Sequence, residues 1–328
     1  MAKLFEEFDG LLFDLDGVVY EGGQAIPGAI ETINTLSSKT KIGYVTNNAS
    51  RRPEVIAQQL TGYGLTVSAE QVIGSARAAA QLLAQKIPAG AKVLVVGGDG
   101  LRSEVQHLGF ELVQTADDSP VAVIQGFSPD VGWKDLAQAA FAIQRGAIWV
   151  ASNQDWTIPV EGGIAPGNGT LVSAVHTAVG ILPEFAGKPA PKIFETALAQ
   201  LQLSNPLFIG DRLDTDSKGA RNFGMKSAIV LTGISKRKDL LAAKAEERPD
   251  FIIQNLAELN SSYPEVKRTK YGVRVGDAEV ELLEKKVRVT SGDPRSVSAL
   301  RAACEIIWNS PVPIYGLDVE PALYQENK

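Results

Sequence analysis

Phe13-Asp14-Leu15-Asp16-Gly17 is the stretch that decides the fold of this chain. It ends the apolar run Gly10-Leu11-Leu12-Phe13, which has the pattern of a buried strand. Carboxylates resist desolvation, so a pair of them directly after such a strand indicates a function. On a turn opened by glycine they can converge on one cation, or one can attack an electrophile while the other moves a proton. An ordinary solvated turn is the alternative. A calcium loop of the EF-hand type is disfavoured, because Val18 stands where an oxygen ligand is needed.

Three later segments also place polar residues at the ends of predicted strands. They are Val45-Thr46-Asn47-Asn48, Gly187-Lys188-Pro189 and Gly210-Asp211-Arg212-Leu213-Asp214-Thr215-Asp216. Strand patterns alternate with helical patterns along the chain, which predicts a mostly parallel sheet with helices on both faces. Active sites in such sheets lie beyond the carboxyl ends of the strands. We therefore expect Asp14, Thr46 and Asp211 to meet at one edge.

These four motifs, in this order, resemble those of the haloacid dehalogenase (HAD) superfamily of phosphatases. More narrowly the chain resembles subfamily IIA, which contains p-nitrophenyl, phosphoglycolate and glycerol-3-phosphate phosphatases, over about residues 8–255. The resemblance implies an α/β fold: a Rossmann-like core with a parallel sheet and an inserted α/β cap domain of the C2 type. The remaining residues resemble the small α+β C-terminal extension of actinobacterial members.

The spacing of the motifs locates the predicted insertion. Only 29 residues separate Asp16 from Thr46, whereas 141 separate Thr46 from Lys188, which is too many for a loop in a compact domain. We predict a catalytic core at residues 1–83 and 183–260, a cap domain at 84–182 and a C-terminal domain at 265–328. In the C-terminal domain, we interpret residues 265–270 as a linker. The alternating valines that follow predict a small meander, and residues 313–317 predict a final strand.

The resemblance implies roles for the carboxylates. Asp14 would be the nucleophile and would form an aspartyl-phosphate. Asp16 would protonate the leaving oxygen and later deprotonate the attacking water. Mg²⁺ would be held by the carboxylates of Asp14 and Asp211 and by the backbone carbonyl of Asp16, because this ion prefers hard oxygen ligands. Asp216 would hold the metal ligands in position without binding the ion itself.

The second and third motifs supply candidates for binding the substrate phosphate. By resemblance, Thr46 would donate its hydroxyl to the phosphoryl oxygens and Asn47 its backbone N–H, with Asn48 beside them. Lys188 would bridge the nucleophile and the phosphate as a point charge. The roles of Arg212 and Asp214 stay open, since Arg212 could face the substrate or pair with Asp216.

The predicted cap favours a small phosphomonoester as the substrate, because a cap that closes over a pocket excludes large phosphoproteins. Asp155, Trp156 and Thr157 are candidates for cap specificity, although lone cap residues are more often packing. Ile158 stands where vertebrate relatives acting on pyridoxal phosphate have a histidine. This departure weakens the case for pyridoxal phosphate and, together with the C-terminal addition, makes glycerol 3-phosphate the first choice, ahead of 2-phosphoglycolate, a nucleoside monophosphate and pyridoxal phosphate.

Two competing classes of function are weighed against a hydrolase. A phosphotransferase or mutase would use the same aspartyl-phosphate, but such relatives usually carry their cap between the first and second motifs. A non-catalytic scaffold on this fold would be expected to have lost a metal carboxylate or the lysine, and all are present.

Composition excludes other classes. The 328 residues are 45% hydrophobic and carry a net charge of −6 with a pI near 5.2, which argues against nucleic-acid binding. No apolar run is long enough for a membrane span, and a single cysteine, Cys304, fits the cytoplasm. His107 and His176 have no obvious nucleophile partner, so triads and zinc sites are disfavoured.

Dimerisation through the cap is common among relatives, which makes a homodimer a possible assembly.

Overall fold

The computed structural model describes residues 2–160 and 162–325. In chain order, the strands of this part are β1 (Gly10–Phe13), β2 (Tyr20–Glu21), β3 (Gln24–Ala25), β4 (Lys41–Thr46), β5 (Val72–Gly74), β6 (Lys92–Val96), β7 (Glu111–Val113), β8 (Ala122–Gln125), β9 (Ile148–Ala151), β10 (Thr157–Val160), β11 (Gly163–Pro166), β12 (Glu184–Phe185), β13 (Leu207–Gly210), β14 (Ser227–Val230), β15 (Phe251–Ile253), β16 (Val266–Arg268), β17 (Gly272–Val275), β18 (Ala278–Leu283), β19 (Lys286–Ser291) and β20 (Asp318–Val319).

The α-helices of the described residues begin and end at α1 (Ala29–Ser37), α2 (Pro53–Gly62), α3 (Ser75–Ala84), α4 (Asp99–His107), α5 (Trp133–Gln144), α6 (Asn168–Val179), α7 (Lys192–Leu201), α8 (Lys218–Phe223), α9 (Arg237–Leu241) and α10 (Val297–Trp308). Their boundaries follow local chemistry. Proline begins α2, where its missing N–H costs nothing. Glycines in the left-handed conformation end α6 and α8, at Gly180 and Gly224. Ser296 caps α10 by accepting a hydrogen bond from the backbone N–H of Ala299.

The chain forms two compact units. The first comprises Met1–Glu21, Ala25–Thr40 and Asn205–Lys328, and the second comprises Gly22–Gln24 and Lys41–Ser204. The limits of core, cap and C-terminal domain predicted from the sequence stay a prediction, and their residues 1, 161 and 326–328 lie outside the described part of the chain.

The first unit contains parallel strands in the order β15-β14-β13-β1. Strands β1, β13 and β14 are buried along their whole length, which explains their continuous apolar sequences. A second sheet in the order β16-β17-β18-β19-β20 is antiparallel except for its last pair. Helix α10 packs on this second sheet, against β17 and β18.

One hydrophobic cluster joins the two sheets of the first unit. From the parallel sheet and its connections it takes Leu213, Ile229, Leu240, Leu241, Ala243 and Ile252. From the C-terminal residues it takes strand valines, the buried face of α10 and Leu323. The C-terminal part therefore shares its core with the parallel sheet and is not a separate module on a tether.

The second unit contains an all-parallel sheet in the order β12-β9-β8-β6-β7, the parallel pair β4-β5 and the antiparallel hairpin β10-β11. Helices α5 and α6 pack together and cover an apolar cluster that includes Val123, Trp149 and Val172. The second unit therefore has an α/β architecture of its own.

The strand predicted at residues 10–13 and the meander predicted in the C-terminal residues are confirmed, and two other predictions are wrong. Residues 266–268, expected in a linker, form β16 and pair with β17. Residues 313–317 are not a strand, because Ile314–Gly316 is a turn of 3-10 helix and the last strand is β20. Helices α3 and α9 and the hairpin β10-β11 were not predicted. Within the described residues, no helix has the length and apolarity needed to cross a membrane.

Candidate active site

Asp14 and Asp211 lie at the same edge of the parallel sheet of the first unit. Their strands, β1 and β13, are neighbours, with Phe13 opposite Ile209, and each aspartate follows its strand. The backbone N–H of Asp14 continues the ladder by donating to the carbonyl of Ile209 at 2.8 Å. Parallel pairing thus brings together two carboxylates that are far apart in the sequence.

Asp216 completes a cluster of three carboxylates. One oxygen from each of Asp14, Asp211 and Asp216 lies within 4.8 Å of the other two. Asp211 and Asp216 are only 1% and 0% exposed. Three carboxylates so close and so little hydrated repel one another, and a cation would offset this repulsion. The all-oxygen donor set fits Mg²⁺.

The carboxylate of Asp216 also fixes the backbone of the loop. Its Oδ2 atom accepts hydrogen bonds from the backbone N–H groups of Asp211 and Arg212, both at 3.0 Å. Asp216 reaches them from a short π-helical turn, Leu213–Ser217. The side chain therefore sets the course of the backbone that carries Asp211.

A second loop, after β14, holds Asp211 from the other side. The backbone N–H of Ile234 donates to Asp211 Oδ2 at 2.7 Å, and that of Ser235 donates to the Asp211 carbonyl at 3.0 Å. The hydroxyl of Thr232 donates to the carbonyl of Gly17 at 2.8 Å. Our sequence analysis missed this loop, although it follows the carboxyl end of a parallel strand, as the predicted motifs do.

Glycines make the close packing around these carboxylates possible. A Cβ atom on Gly17 or Gly233 would overlap the Asp211 carboxylate, and one on Gly210 would overlap Asp216. Gly17 also has a φ of +79°, a conformation that other residues rarely adopt.

Asp16 is exposed at the turn that follows Asp14. The Tyr20 hydroxyl lies 3.4 Å from its Oδ2 atom, and the turn is closed by hydrogen bonds from Val19 and Tyr20 to the Leu15 carbonyl. The side chain that the sequence assigns to proton transfer is thus accessible to water and substrate.

Arg212 pairs with Asp214. Its Nε and Nη2 atoms donate to the two carboxylate oxygens at 3.1 and 2.8 Å. Partial burial raises the pKa of Asp214, but the hydrogen bonds and charge of Arg212, together with backbone hydrogen bonds from Asp214 and Thr215, lower it by more, so the pKa lies below its usual value. The structure thus adds Asp214 to the partners of Arg212 that the sequence left open.

Thr46, at the end of β4, opens the candidate phosphate site of the second unit. Its hydroxyl oxygen is buried and accepts a hydrogen bond from the backbone N–H of Asn48 at 3.1 Å, which leaves the hydroxyl hydrogen to donate. The Asn48 side chain serves the loop, because its Oδ1 atom accepts from Ser50 and from the backbone N–H of Arg51.

The side chain of Asn47 connects three segments of this unit. Its amide nitrogen donates to both carboxylate oxygens of Asp155, at 3.1 and 3.2 Å, and to the carbonyl of Lys188 at 3.0 Å. Its amide oxygen accepts from the backbone N–H of Lys188 at 2.8 Å. The Asn47 carbonyl accepts from Ser75 and Asn153. Any phosphate contact from Asn47 would therefore come from its backbone N–H.

Lys188 is buried, with 2% of its surface exposed. Its ammonium group lies 3.5 Å from the carbonyl of Val45, beside Thr46. The preceding Gly187 has no room for a side chain, since a Cβ there would overlap the Ser152 carbonyl and Asn47 Oδ1. A buried ammonium group attracts an anion more strongly than an exposed one, because the surrounding dielectric is lower.

The predicted cap residues have different environments. Asp155 is bound to Asn47, whereas Trp156 is 65% exposed and Thr157, which begins β10, is also exposed. The backbone of residues 154–155 packs closely against Gly167-Asn168-Gly169. A Cβ atom on either glycine would overlap that backbone. The structure assembles the predicted residues within each unit: Asp14, Asp211 and Asp216 in the first, and Thr46, Asn47, Lys188 and Asp155 in the second. That Thr46 meets Asp14 and Asp211 stays a prediction.

Comparisons with known proteins agree with these motifs. Residues 11–111 match the family model described as haloacid dehalogenase-like hydrolase, and residues 185–259 match a HAD-hydrolase-like model. The D-glycerol 3-phosphate phosphatase of Mycobacterium tuberculosis is 44% identical over 260 residues, which are 79% of this chain and 73% of that protein. The 5'-nucleotidase YutF of Bacillus subtilis is 34% identical over 76% of this chain and 97% of its own length.

A solved structure resembles nearly the whole molecule. The crystal structure of a glycerol phosphate phosphatase from Mycobacterium tuberculosis in complex with magnesium has a TM-score of 0.89 and 38% identity. The match covers 98% of this chain and 96% of the other, and so includes the C-terminal residues that lie outside both family models.

Proposed function

This chain belongs to the haloacid dehalogenase-like hydrolases and is a phosphatase, and from that premise we propose that it hydrolyses glycerol 3-phosphate through a phosphorylated Asp14. The observation that carries the proposal is the buried cluster of Asp14, Asp211 and Asp216 at one sheet edge.

In the proposed reaction Asp14 is the nucleophile and binds Mg²⁺ together with Asp211. The ion, when bound, supplies positive charge that offsets the repulsion between a carboxylate and a phosphate. Asp14 is fixed by its backbone hydrogen bond to Ile209, which holds its side chain at the end of a rigid strand. Attack on phosphorus transfers the phosphoryl group to Asp14 and releases an alkoxide.

Asp16 handles the protons of this reaction. We assign its carboxyl group to protonating the leaving alkoxide and then to deprotonating the water that hydrolyses the aspartyl-phosphate. Its exposure and its position two residues after Asp14 support that assignment. The Asp16 backbone carbonyl is proposed as a further ligand of the ion.

Thr46 and Lys188 are proposed to bind the phosphoryl group that Asp14 attacks. The Thr46 hydroxyl can donate a hydrogen bond, and the buried Lys188 ammonium supplies positive charge. Asn47 would add its backbone N–H, while its side chain keeps Lys188 and Asp155 in place. Removing one such preorganised donor typically costs about 3–4 kcal/mol of transition-state stabilisation.

The substrate is the finer part of the proposal. It is supported by relatives whose names specify glycerol phosphate, one of which matches the full chain including its C-terminal part. The nucleotidase and acid sugar phosphatase among the relatives make nucleoside monophosphates and sugar phosphates the main alternatives. Trp156 and Thr157 are proposed to face the substrate from the cap, since both are exposed.

The test is phosphate release with Mg²⁺ from glycerol 3-phosphate, 2-phosphoglycolate, UMP, pyridoxal 5'-phosphate and p-nitrophenyl phosphate. We expect the highest kcat/KM with glycerol 3-phosphate, without an added acceptor, and its loss in Asp14→Asn. A preference for another phosphomonoester would refute the substrate and keep the enzyme class. Turnover only with an added acceptor would point to a phosphotransferase instead.

We further propose a cytoplasmic location and a homodimer formed through the cap. The location is supported by the single buried thiol of Cys304. The dimer is supported by exposed apolar side chains of the second unit, including Trp133 on α5 and Ile164 in the hairpin. Light scattering of the protein with Trp133→Ser or Ile164→Ser tests the assembly.

A further inference from the structure

The loop between β14 and α9, residues 231–236, is in direct contact with the proposed metal ligand Asp211. It donates two backbone hydrogen bonds to this residue, one of them from Ile234 to the carboxylate. Its Ser235 side chain accepts from the backbone N–H of Leu213, at 3.0 Å, on the far side of Asp211. The position of this loop therefore sets the orientation of the Asp211 carboxylate.

Helix α9 follows the loop immediately, and its first residue is a buried arginine. Arg237 is 5% exposed. Its Nε atom donates to the carbonyl of Leu323 at 2.9 Å, and its Nη2 atom donates to the carbonyl of Ser296 at 3.0 Å. Both acceptors belong to the C-terminal residues, one next to the start of α10 and the other near the end of the described chain.

A buried guanidinium is expensive unless its N–H groups are bound in good geometry. The two carbonyls provide that geometry and so fix where α9 begins. Arg237 is only two residues from Ser235 and three from Ile234. A shift of Arg237 relative to the C-terminal carbonyls would therefore also shift the backbone that contacts Asp211. The far end of α9 is held as well, because the Trp308 indole donates to the Leu240 carbonyl at 2.9 Å.

We propose that Arg237 is a positioning residue for the metal site. In this proposal the C-terminal residues serve the catalytic centre by holding Arg237 in place. Its guanidinium binds the carbonyls of Leu323 and Ser296. It acts through the loop, whose Ile234 N–H orients Asp211. The proposal rests on Asp211 being a metal ligand, as proposed above.

The same unit contains a matched control. Arg301 is a second buried arginine, 7% exposed, that also connects the C-terminal part to the parallel sheet. Its Nε atom donates to the Ile252 carbonyl at 2.7 Å, and its guanidinium pairs with Glu258 and lies over the Tyr263 ring. These contacts are with residues 252–263, not with the loop at residues 231–236.

The experiment measures Mn²⁺ binding to the full-length protein by the electron paramagnetic resonance signal of the free ion, without substrate. Residues that orient a metal ligand typically change affinity by about 10–100-fold. We expect Arg237→Met to weaken Mn²⁺ binding by about tenfold or more. Arg301→Met should lower the thermal unfolding midpoint comparably but leave Mn²⁺ binding within about twofold, because it does not touch the loop.

Asp211→Asn separates failure of this inference from failure of the site assignment. If Asp211→Asn binds Mn²⁺ like the unsubstituted protein, the metal site itself is wrong. If Asp211→Asn loses binding and Arg237→Met retains it, only the positioning role is refuted. Equal weakening in the two methionine variants would also refute it, since loss of stability would then explain both.

A milder pair keeps the test decisive if the methionine variants do not fold. Arg237→Lys retains the charge but can make at most part of the two-carbonyl contact. We expect it to weaken Mn²⁺ binding several-fold and to raise the Mg²⁺ concentration needed for half-maximal activity, with the KM for substrate unchanged at saturating Mg²⁺. Arg301→Lys should change neither quantity, and equal metal binding in the two lysine variants would overturn the proposal.

Discussion

The Asp211 carboxylate lies against two residues without side chains, Gly17 and Gly233. A Cβ on either would overlap it. Close approach of the backbone on both sides lets the Ile234 N–H reach Asp211 Oδ2. We therefore expect the two glycines to matter as much for the proposed metal site as its carboxylates do.

Gly233→Ala tests this packing at the scale of one methyl group. The new Cβ must displace the carboxylate or the loop, and overpacking of this kind typically costs about 1–3 kcal/mol. We expect a lower free energy of unfolding in urea and a larger proportional fall in kcat. Gly62→Ala is the control, because a Cβ at Gly62 meets open space; a Gly233→Ala protein as active as this control would contradict the account.

Asp216 and Asp214 are close in the sequence, but we expect their replacement by alanine to lower the stability by different amounts. Asp216→Ala leaves two backbone N–H groups of the loop without their acceptor. We expect a loss of about 2–4 kcal/mol in the free energy of unfolding. Asp214→Ala breaks a largely exposed pair with Arg212 and local backbone hydrogen bonds within the same turn, and should cost about 1 kcal/mol or less.

Urea unfolding at neutral pH measures both variants. Because the pKa of Asp214 is lowered, its small contribution is present at neutral pH and is lost as the pH falls through the folded-state pKa. Equal destabilisation by the two substitutions would show that Asp216 does not organise the loop.

At the scale of elements, α10 fixes the C-terminal part to the parallel sheet. Cys304 lies on its buried face, and burial raises the pKa of the thiol. A buried neutral thiol is unreactive, because the thiolate is the nucleophile.

Cys304 therefore reports the opening of this element. We expect a disulfide reagent such as DTNB to modify it only at the rate of unfolding, and stoichiometrically in urea. Arg301→Met should speed the reaction, since it removes a contact of α10. Fast native-state modification would contradict the packing described here.

The elements also show what a sequence can and cannot predict. Asp14 and Asp211 were predictable because each directly follows a continuous apolar strand, and parallel strands end at one edge. The loop at residues 231–236 lacks such a mark, since it contributes backbone N–H groups that any residue carries. Residues 265–270 were misjudged because charged side chains on an exposed edge strand have the composition of a linker. The role of Asn47 depends on segments 108 and 141 residues away, beyond the reach of local patterns.

At the scale of the whole molecule, the parallel sheet of the first unit and the C-terminal part share one hydrophobic cluster. A chain that ends at Pro264 would expose Leu240, Leu241 and Ile252 from that cluster. We expect it to aggregate or to unfold at a clearly lower temperature, because a large apolar surface would face water.

Thermal unfolding of the soluble fraction measures this effect. Tyr315→Ser in the full chain is the control, since Tyr315 is 91% exposed and its loss should leave the unfolding temperature unchanged. A truncated chain as stable as the full one would mean that the C-terminal part is dispensable for the fold.

The central claim is that Asp14 carries the phosphoryl group during hydrolysis of glycerol 3-phosphate. It is tested most directly by quenching the enzyme in acid during turnover with Mg²⁺ and glycerol 3-phosphate and mapping the phosphorylated peptide by mass spectrometry. The account predicts a hydroxylamine-labile phosphoryl group on Asp14, absent from Asp14→Asn. Phosphorylation of another residue, or full turnover by Asp14→Asn, would contradict it.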